Sequence, residues 1–214
     1  MNKLKDLVII GAGDFGREIS DVVERCNLQK PEWNLLGFVD DSCEMQGKTI
    51  DGYKVLGDTA WLNACEKEIW AICSIGVSKT RKLVISKCTS PNIKWATIIA
   101  PDAAMYRGSS VGEGSIICGG SILAIGVHVG KHVIVNLNCS LGHDDEIGMY
   151  NVVNPGVNVS GKVVTGECVD LGTGAKVLQG TRIPSSTVVG AGGVVLKTIE
   201  ASGTYVGVPV KRVK

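Results

Sequence analysis

Aromatic side chains are scarce in this chain. Phe, Trp and Tyr make up 5% of its 214 residues, and Phe occurs twice. A core built on large rings is therefore excluded. The 28 glycines beside 44% hydrophobic residues point instead to small aliphatic packing and many tight backbone bends. Charge of one sign is lacking too. Lys plus Arg number 22 against 21 Asp plus Glu, so no strong field steers the chain onto nucleic acid or an acidic membrane. No hydrophobic stretch approaches the roughly 18 residues that span a bilayer. Leu7–Ile10, behind Lys3 and Lys5, is cut by Gly11, short of the ~7–15 apolar residues of a secretory signal. CxxC pairs are absent: Cys26, Cys43, Cys65, Cys73, Cys88, Cys118, Cys139 and Cys168 show neither disulfide-like nor metal-like spacing. Most sit in apolar runs, where a free Cys behaves as a small hydrophobe. The expectation is a cytoplasmic protein with reduced, buried thiols, no metal, and no membrane or nucleic-acid partner.

What is present is a repeat. Stepping by six from Ile99 gives Met105, Val111, Ile117, Leu123, Val129, Val135, Leu141, Ile147, Val153, Val159, Thr165, Leu171, Val177, Ile183, Val189 and Val195. Every member but Thr165 is aliphatic or Met, and Thr165 is β-branched. Neither a helix near 3.6 nor a strand near 2 gives a strict period of six. The position after this spine is small or polar at Gly112, Gly130, Asn136, Gly142, Gly148 and Gly172. These glycines and asparagines are expected to take the left-handed backbone of a corner. Six residues then make one short strand and one corner, three hexads close a triangular coil, and the spine fills a parallel β-helix. The register runs unbroken from Ile99 to Val195, which leaves no room for a long inserted loop.

Ahead of the repeat, Leu7–Ile10 reads as a strand. Gly11-Ala12-Gly13-Asp14-Phe15-Gly16 follows, and then an amphipathic helix with Ile19, Val22, Val23 and Cys26 on one face. Further strands are expected at Leu35–Val39 and Ile69–Ile75, and a second helix at Lys79–Cys88. Such alternation implies a small Rossmann-like parallel α/β unit. The domains are expected at 1–96 and 97–214. A GxGxxG between strand and helix suits a phosphate, and Asp40 at the tip of the next strand suits a sugar hydroxyl. The same glycines also serve a plain tight turn. A dinucleotide-dependent oxidoreductase is disfavoured, because a full dinucleotide fold needs two βαβαβ halves and fewer than 100 residues precede the repeat.

Three histidines are available as bases: His128, His132 and His143. His143 stands at a corner after Gly142 and before Asp144 and Asp145, and a carboxylate there can fix the imidazole tautomer. His128 and His132 read as surface residues of the repeat. Asn136 reads either as a corner residue or as a neighbour of the site. Gly161 lies three hexads, hence one coil, beyond His143. Lys211, Arg212 and Lys214 read either as phosphate contacts or as a solvated tail.

The repeat resembles that of the hexapeptide acyltransferases. With Val8-Ile9-Ile10-Gly11-Ala12-Gly13 and Gly16, Gly37-Phe38-Val39-Asp40-Asp41, Ser74-Ile75-Gly76 with Lys79-Thr80-Arg81, Gly142-His143-Asp144 and Gly207-Val208-Pro209, the chain resembles the bacterial nucleotide-sugar acetyltransferases. That family includes aminosugar N-acetyltransferases and sialic-acid O-acetyltransferases. The resemblance implies a left-handed β-helix, acetyl-CoA as co-substrate, a homotrimer and a place in polysaccharide biosynthesis. It implies His143 as general base, Asp144 as its orienting acid, and the Gly161 N–H against the thioester oxygen. It places the nucleotide sugar on Gly11, Gly13, Phe15, Asp40, Asp41, Gly76 and Asn136. Coenzyme A falls on Gly161, Gly172, Gly190, Pro209 and Lys211, between neighbouring prisms. Two positions depart from the family, which often has His where Phe15 and Val152 stand. O-acetylation of a sugar uses the same residues, and a non-catalytic β-helix scaffold is the rival of another class.

Overall fold

The computed structural model describes residues 3–214 as two compact units. One comprises residues up to Gly76 together with Thr80–Pro101, and the other comprises Val77–Lys79 and Asp102–Lys214. In the first unit the order is β1 (Lys5–Ile10), α1 (Asp14–Gln29), β2 (Trp33–Val39), β3 (Thr49–Ile50), β4 (Tyr53–Gly57), α2 (Thr59–Asn63), β5 (Ile69–Cys73), α3 (Ser78–Lys87) and β6 (Ile93–Trp95). The six strands form one sheet in the order β3-β4-β2-β1-β5-β6. β1 is central, pairing parallel with β2 on one side and β5 on the other. This is why Leu7–Ile10 reads as a continuous apolar run: all four are at most 2% exposed, as strands covered on both faces must be. Ile19, Val22 and Val23 of α1 are buried as their spacing requires. The β3–β4 hairpin goes beyond the sequence reading. Its signal is the dipeptide Asp51–Gly52, at φ 48° and 88°, where a two-residue hairpin turn needs two positive φ values.

In the second unit, sixteen two-residue strands recur every six residues from Ala104–Met105 to Val194–Val195. Residue i pairs in parallel with i+18: Leu123 with Leu141, Leu141 with Val159, and Val159 with Val177. Three hexads therefore make one coil. The first face carries Ile116–Ile117, Ile134–Val135, Val152–Val153, Asp170–Leu171 and Val188–Val189. The second carries Ile122–Leu123, Ser140–Leu141 and Asn158–Val159, and the third His128–Val129, Glu146–Ile147 and Val164–Thr165. From Ile117 onward the spine residues are at most 5% exposed. The exception in chemistry, Thr165, accepts from the Gly148 N–H at 3.0 Å and from Asn151 Nδ2 at 2.5 Å. Its hydroxyl is thereby satisfied inside the prism.

Two expectations about the repeat need correction. The left-handed residues are not those after the spine but those three after it: Gly108, Gly114, Gly120, Gly126, His132, Asn138, Asp144, Tyr150 and Lys162 all have positive φ. The residue after the spine is small for a different reason, because coils stack directly there. A Cβ on Gly112 would lie 2.7 Å from the Gly130 carbonyl group, closer than packed atoms approach. His132 is likewise not a surface residue. It is 5% exposed, stacked 5.2 Å from the Tyr150 ring at 12°, because the left-handed stack lays corner side chains over one another. All eight cysteines are free, but only Cys73, Cys118, Cys139 and Cys168 are buried, and Cys43 is exposed. No described helix is long and apolar enough to cross a membrane.

Candidate active site

His143 lies at the corner that joins the second face to the third, between Ser140–Leu141 and Glu146–Ile147. Its Nδ1 is 3.0 Å from Asp144 Oδ2, with both side chains about half exposed. Asp144 is left-handed, φ 60°, a conformation that Asp tolerates better than most residues. One coil earlier in the same stack is Gly126. A Cβ there would sit 2.7 Å from Asp144 Oδ1, so the missing side chain clears room for the carboxylate. This contribution of Gly126 escaped the sequence reading, although the 18-residue spacing to Asp144 is legible once the coil length is known.

Gly161 is buried one coil on, beneath the imidazole. A Cβ on it would lie 2.5 Å from His143 Nε2, 2.6 Å from Cδ2 and 2.8 Å from Cε1. The ring therefore rests on Gly161 because Gly161 has no side chain. Among the described residues the Gly161 N–H has no acceptor, and His143 Nε2 has no hydrogen bond. With Nδ1 engaged by a carboxylate, the free Nε2 is the nitrogen that can take a proton, and a spare backbone donor belongs to the glycine whose Cβ position the ring covers. Asp145 follows at once and points inward. It is 0% exposed and its Oδ1 accepts from the Val163 N–H at 2.9 Å. Burial pushes its carboxyl up to about 7, although the Val163 and Gly142 N–H groups and His143 act in the opposite sense.

In the α/β unit the turn residues divide by role. Gly11 has φ 102°, and a Cβ on Gly16 would run into the Gly11 carbonyl oxygen; these two glycines make the turn. Gly13 is exposed with nothing near a Cβ, as is Gly76, and both leave open approach to a ligand. Asp40 Oδ2 accepts from the Ala12 N–H at 2.8 Å, bracing the turn, and Oδ1 accepts from the Ser42 N–H at 2.9 Å. Asp41 accepts from the Thr59 N–H at 3.0 Å and from Lys87 Nζ at 2.9 Å. Burial alone raises the Asp41 carboxyl, but Lys87 and Thr59 outweigh it and hold the group below its ordinary value. It is therefore ionised at neutral pH. Gly11, Asp40 and Asp41 line a cavity of about 200 Å³ with Ile75, Thr80 and Val84. Phe15 is half-buried in the first turn of α1.

Other candidates are not gathered within one chain. Asn136, Gly172 and Gly190 stand on the edge between the first and second faces, whereas His143 and Gly161 stand on the edge between the second and third. Asn136 Oδ1 accepts from the Leu137 N–H at 2.7 Å, a corner contact. Val152 is 3% exposed on the first face. Pro209 joins Tyr205, Val210 and Leu196 around a largely apolar cavity of about 380 Å³, and Lys211 and Arg212 are exposed beside it. No group of three metal-ligating side chains occurs among the described residues.

An α/β unit with a glycine turn, joined to a hexad β-helix that bears a carboxylate-braced His over a bare glycine, defines an acyltransferase of the β-helix class. Along nearly its whole length the chain is similar to nucleotide-sugar acetyltransferases. Residues 6–88 match the family described as the PglD N-terminal domain. The GDP-perosamine N-acetyltransferase of Escherichia coli O157:H7 is 29% identical over 187 residues, 86% of this chain and 82% of that protein. A variant of the perosamine N-acetyltransferase of Caulobacter crescentus, solved with CoA and GDP-perosamine, superposes with a TM-score of 0.90 at 26% identity, covering 99% of this chain and 98% of the other. The acetyltransferase domain of PglB from Neisseria gonorrhoeae FA1090, in complex with acetyl coenzyme A, gives 0.89 at 27% identity over 99% and 100%.

Proposed function

We propose that this protein transfers the acetyl group of acetyl-CoA to the amino group of a nucleotide-linked sugar. The observation that carries the proposal is the His143–Asp144 pair with the ring resting over Gly161. The sugar amine attacks the thioester carbon, and His143 Nε2 takes the proton that the new C–N bond expels. The Gly161 N–H meets the oxyanion. The C–S bond then breaks, and the proton passes to the departing thiolate, giving the amide and free CoA. Asp144 holds the imidazole in the tautomer that leaves Nε2 open. The relatives named for GDP-perosamine N-acetylation support an amine acceptor on a nucleotide sugar. The sensitive test is release of CoA thiol from acetyl-CoA across a panel of nucleotide aminosugars, with the matching hydroxy sugars as controls. Release with hydroxy sugars alone would replace N- by O-acetylation, and release with neither would remove the reading.

The acceptor's nucleotide belongs to the α/β unit, against Gly11, Gly13, Phe15, Asp40, Asp41 and Gly76. Asp40→Ala and Asp41→Ala should raise the KM for the sugar nucleotide at least several-fold more than that for acetyl-CoA. Asp41→Ala also strands Lys87, so a thermal melt must accompany it. Equal changes in both constants would contradict the division of labour.

Coenzyme A belongs to a groove between two prisms, using Gly161 of one copy with Gly172, Gly190, Pro209, Lys211 and, for the acceptor, Asn136 of the next. The placement of these residues on two edges of the prism supports a homotrimer, which brings unlike edges together. A monomer in sedimentation equilibrium at micromolar concentration would overturn it. The free thiols support a reducing, cytoplasmic site of action, and the similarity to nucleotide-sugar acetyltransferases supports a place in polysaccharide biosynthesis.

A further inference from the structure

The position four residues after the spine points into the prism, and where it holds Ser115, Ser121 or Cys139 it follows a rule; Thr181, which donates to the Leu178 carbonyl, and Thr187, whose hydroxyl is buried without a partner among the described residues, stand outside it. Ser115 Oγ accepts from the Val133 N–H and donates to the Gly130 carbonyl at 2.9 Å. Ser121 Oγ accepts from the Cys139 N–H and donates to the Asn136 carbonyl at 2.7 Å. Cys139 Sγ donates to the Asn154 carbonyl at 3.1 Å. For the two serines the N–H lies 18 residues ahead, and the carbonyl lies 15 residues ahead each time. Asp145 occupies the same position and obeys the first half of the rule, accepting from the Val163 N–H. Its Oδ2 is buried with no partner among the described residues. Fifteen residues ahead is Ser160, whose carbonyl receives no donor among the described residues. Ser160 C=O and Gly161 N–H belong to one peptide group.

We propose that Asp145 carries a proton in the working enzyme and donates it from Oδ2 to the Ser160 carbonyl, so that it positions and polarises the peptide whose N–H serves as the oxyanion donor. The inference rests on the acyl-transfer reading above for its catalytic consequence, but not for the hydrogen bond. An ionised Asp145 could not complete the repeat's pattern, because a carboxylate has nothing to donate. A carboxylic acid completes it in the way Ser115 and Ser121 do. A hydrogen bond accepted by a carbonyl strengthens the donor at the other end of the same amide. Burial favours the neutral form, and the carboxyl sits at about 7. The charged groups around it are His143 and Asp144 on its own corner and Lys162 on the corner one coil ahead; the corner one coil behind, residues 124–127, carries none. Asp145 is thus a positioning residue that loses its donor as pH rises past neutrality.

Three variants separate this from a merely structural role. Asp145→Ser and Asp145→Asn keep a donor; Asp145→Val removes it with a residue the repeat itself uses at Val127 and Val163, so the fold is kept. In protein labelled with carboxyl-¹³C aspartate, the Asp145 carbon should titrate well above the ordinary range near about 4. The Gly161 amide proton should shift in Asp145→Val and stay near wild type in Asp145→Ser. With acetyl-CoA and the aminosugar, Asp145→Val should lower kcat about tenfold, below the 10²–10³ of deleting an oxyanion donor, with the KM for acetyl-CoA unchanged. Asp145→Ser and Asp145→Asn should restore most of it and lack the alkaline fall in kcat expected of wild type. A carboxyl titrating near about 4, or a Gly161 amide and kcat untouched in Asp145→Val, overturns the proposal. If the amide shift follows the donor while His143→Ala keeps full activity, this inference stands and the assignment of the base falls.

Discussion

His143→Ala should lower kcat by about 10²–10⁴, the usual worth of a positioned general base, and leave the fold and acetyl-CoA binding nearly intact. The fold is spared because His143 sits at a corner, half exposed, and none of its atoms fills the prism. The chemistry is not spared. An ammonium has no lone pair with which to attack, and the adduct must shed a proton before the thiol leaves. Among the three histidines only His143 combines a carboxylate on Nδ1 with a bare Nε2 over a glycine. Asp144→Asn should cost less, because the ring survives while its orientation loosens. His128→Ala is the clean control: His128 is exposed, 2.8 Å from Ser110 Oγ and without a carboxylate partner. His132→Ala is a poor control, since it empties a buried ring stack with Tyr150. Initial rates at saturating substrates, paired with far-UV melts, decide the matter. Retention of more than about a tenth of wild-type kcat, short of the general-base range, would place the base elsewhere.

Gly161→Ala should be nearly as damaging, although it adds a single methyl group and removes no catalytic atom. The new Cβ would stand 2.5–2.8 Å from three atoms of the His143 ring, well inside van der Waals contact. The imidazole is the free end of a half-exposed side chain, so it will swing away rather than force the backbone apart. The base then leaves its place over Gly161, and the alanine methyl takes that space. A misplacement of about an ångström costs on the order of 10² in rate, and a loss of oxyanion stabilisation adds to it. The expected result is a kcat at least about 10² lower with a melting temperature close to wild type. Gly161 has no positive φ, so no backbone strain competes as the explanation. A fully active Gly161→Ala protein would show that the ring does not work from this position.

The α/β unit was legible wherever burial and chemistry coincided. Leu7–Ile10, Leu35–Val39 and the α1 face declared themselves, because strands buried on both faces and amphipathic helices carry one-dimensional signatures. The β3–β4 hairpin and β6 are short, and without a long hydrophobic period only Asp51–Gly52 announced any of them. Within the GxGxxG, the sequence could not say which glycine serves the turn and which serves a ligand. That depends on what stands opposite each Cα: the Gly11 carbonyl for Gly16, and open space for Gly13.

The sequence by itself determined the period, the spine from Ile99 to Val195, the coil of three hexads, and the pairing of a histidine with the acid after it. These are local or strictly periodic, so arithmetic along the chain reaches them. Tertiary structure alone decided the rest. It moved the left-handed backbone to the third position after the spine, where coils turn, and explained the small residues beside the spine by the stacking of one coil on the next. It buried His132, laid the His143 ring on Gly161, opened Gly126 for the Asp144 carboxylate, and turned Asp145 inward to an environment that favours its proton. Each of these depends on what lies 15 or 18 residues away, across a stack of coils only a strand spacing apart. Burial, close approach and proton affinity are set by neighbours in space, and composition does not name those neighbours until the chain has coiled.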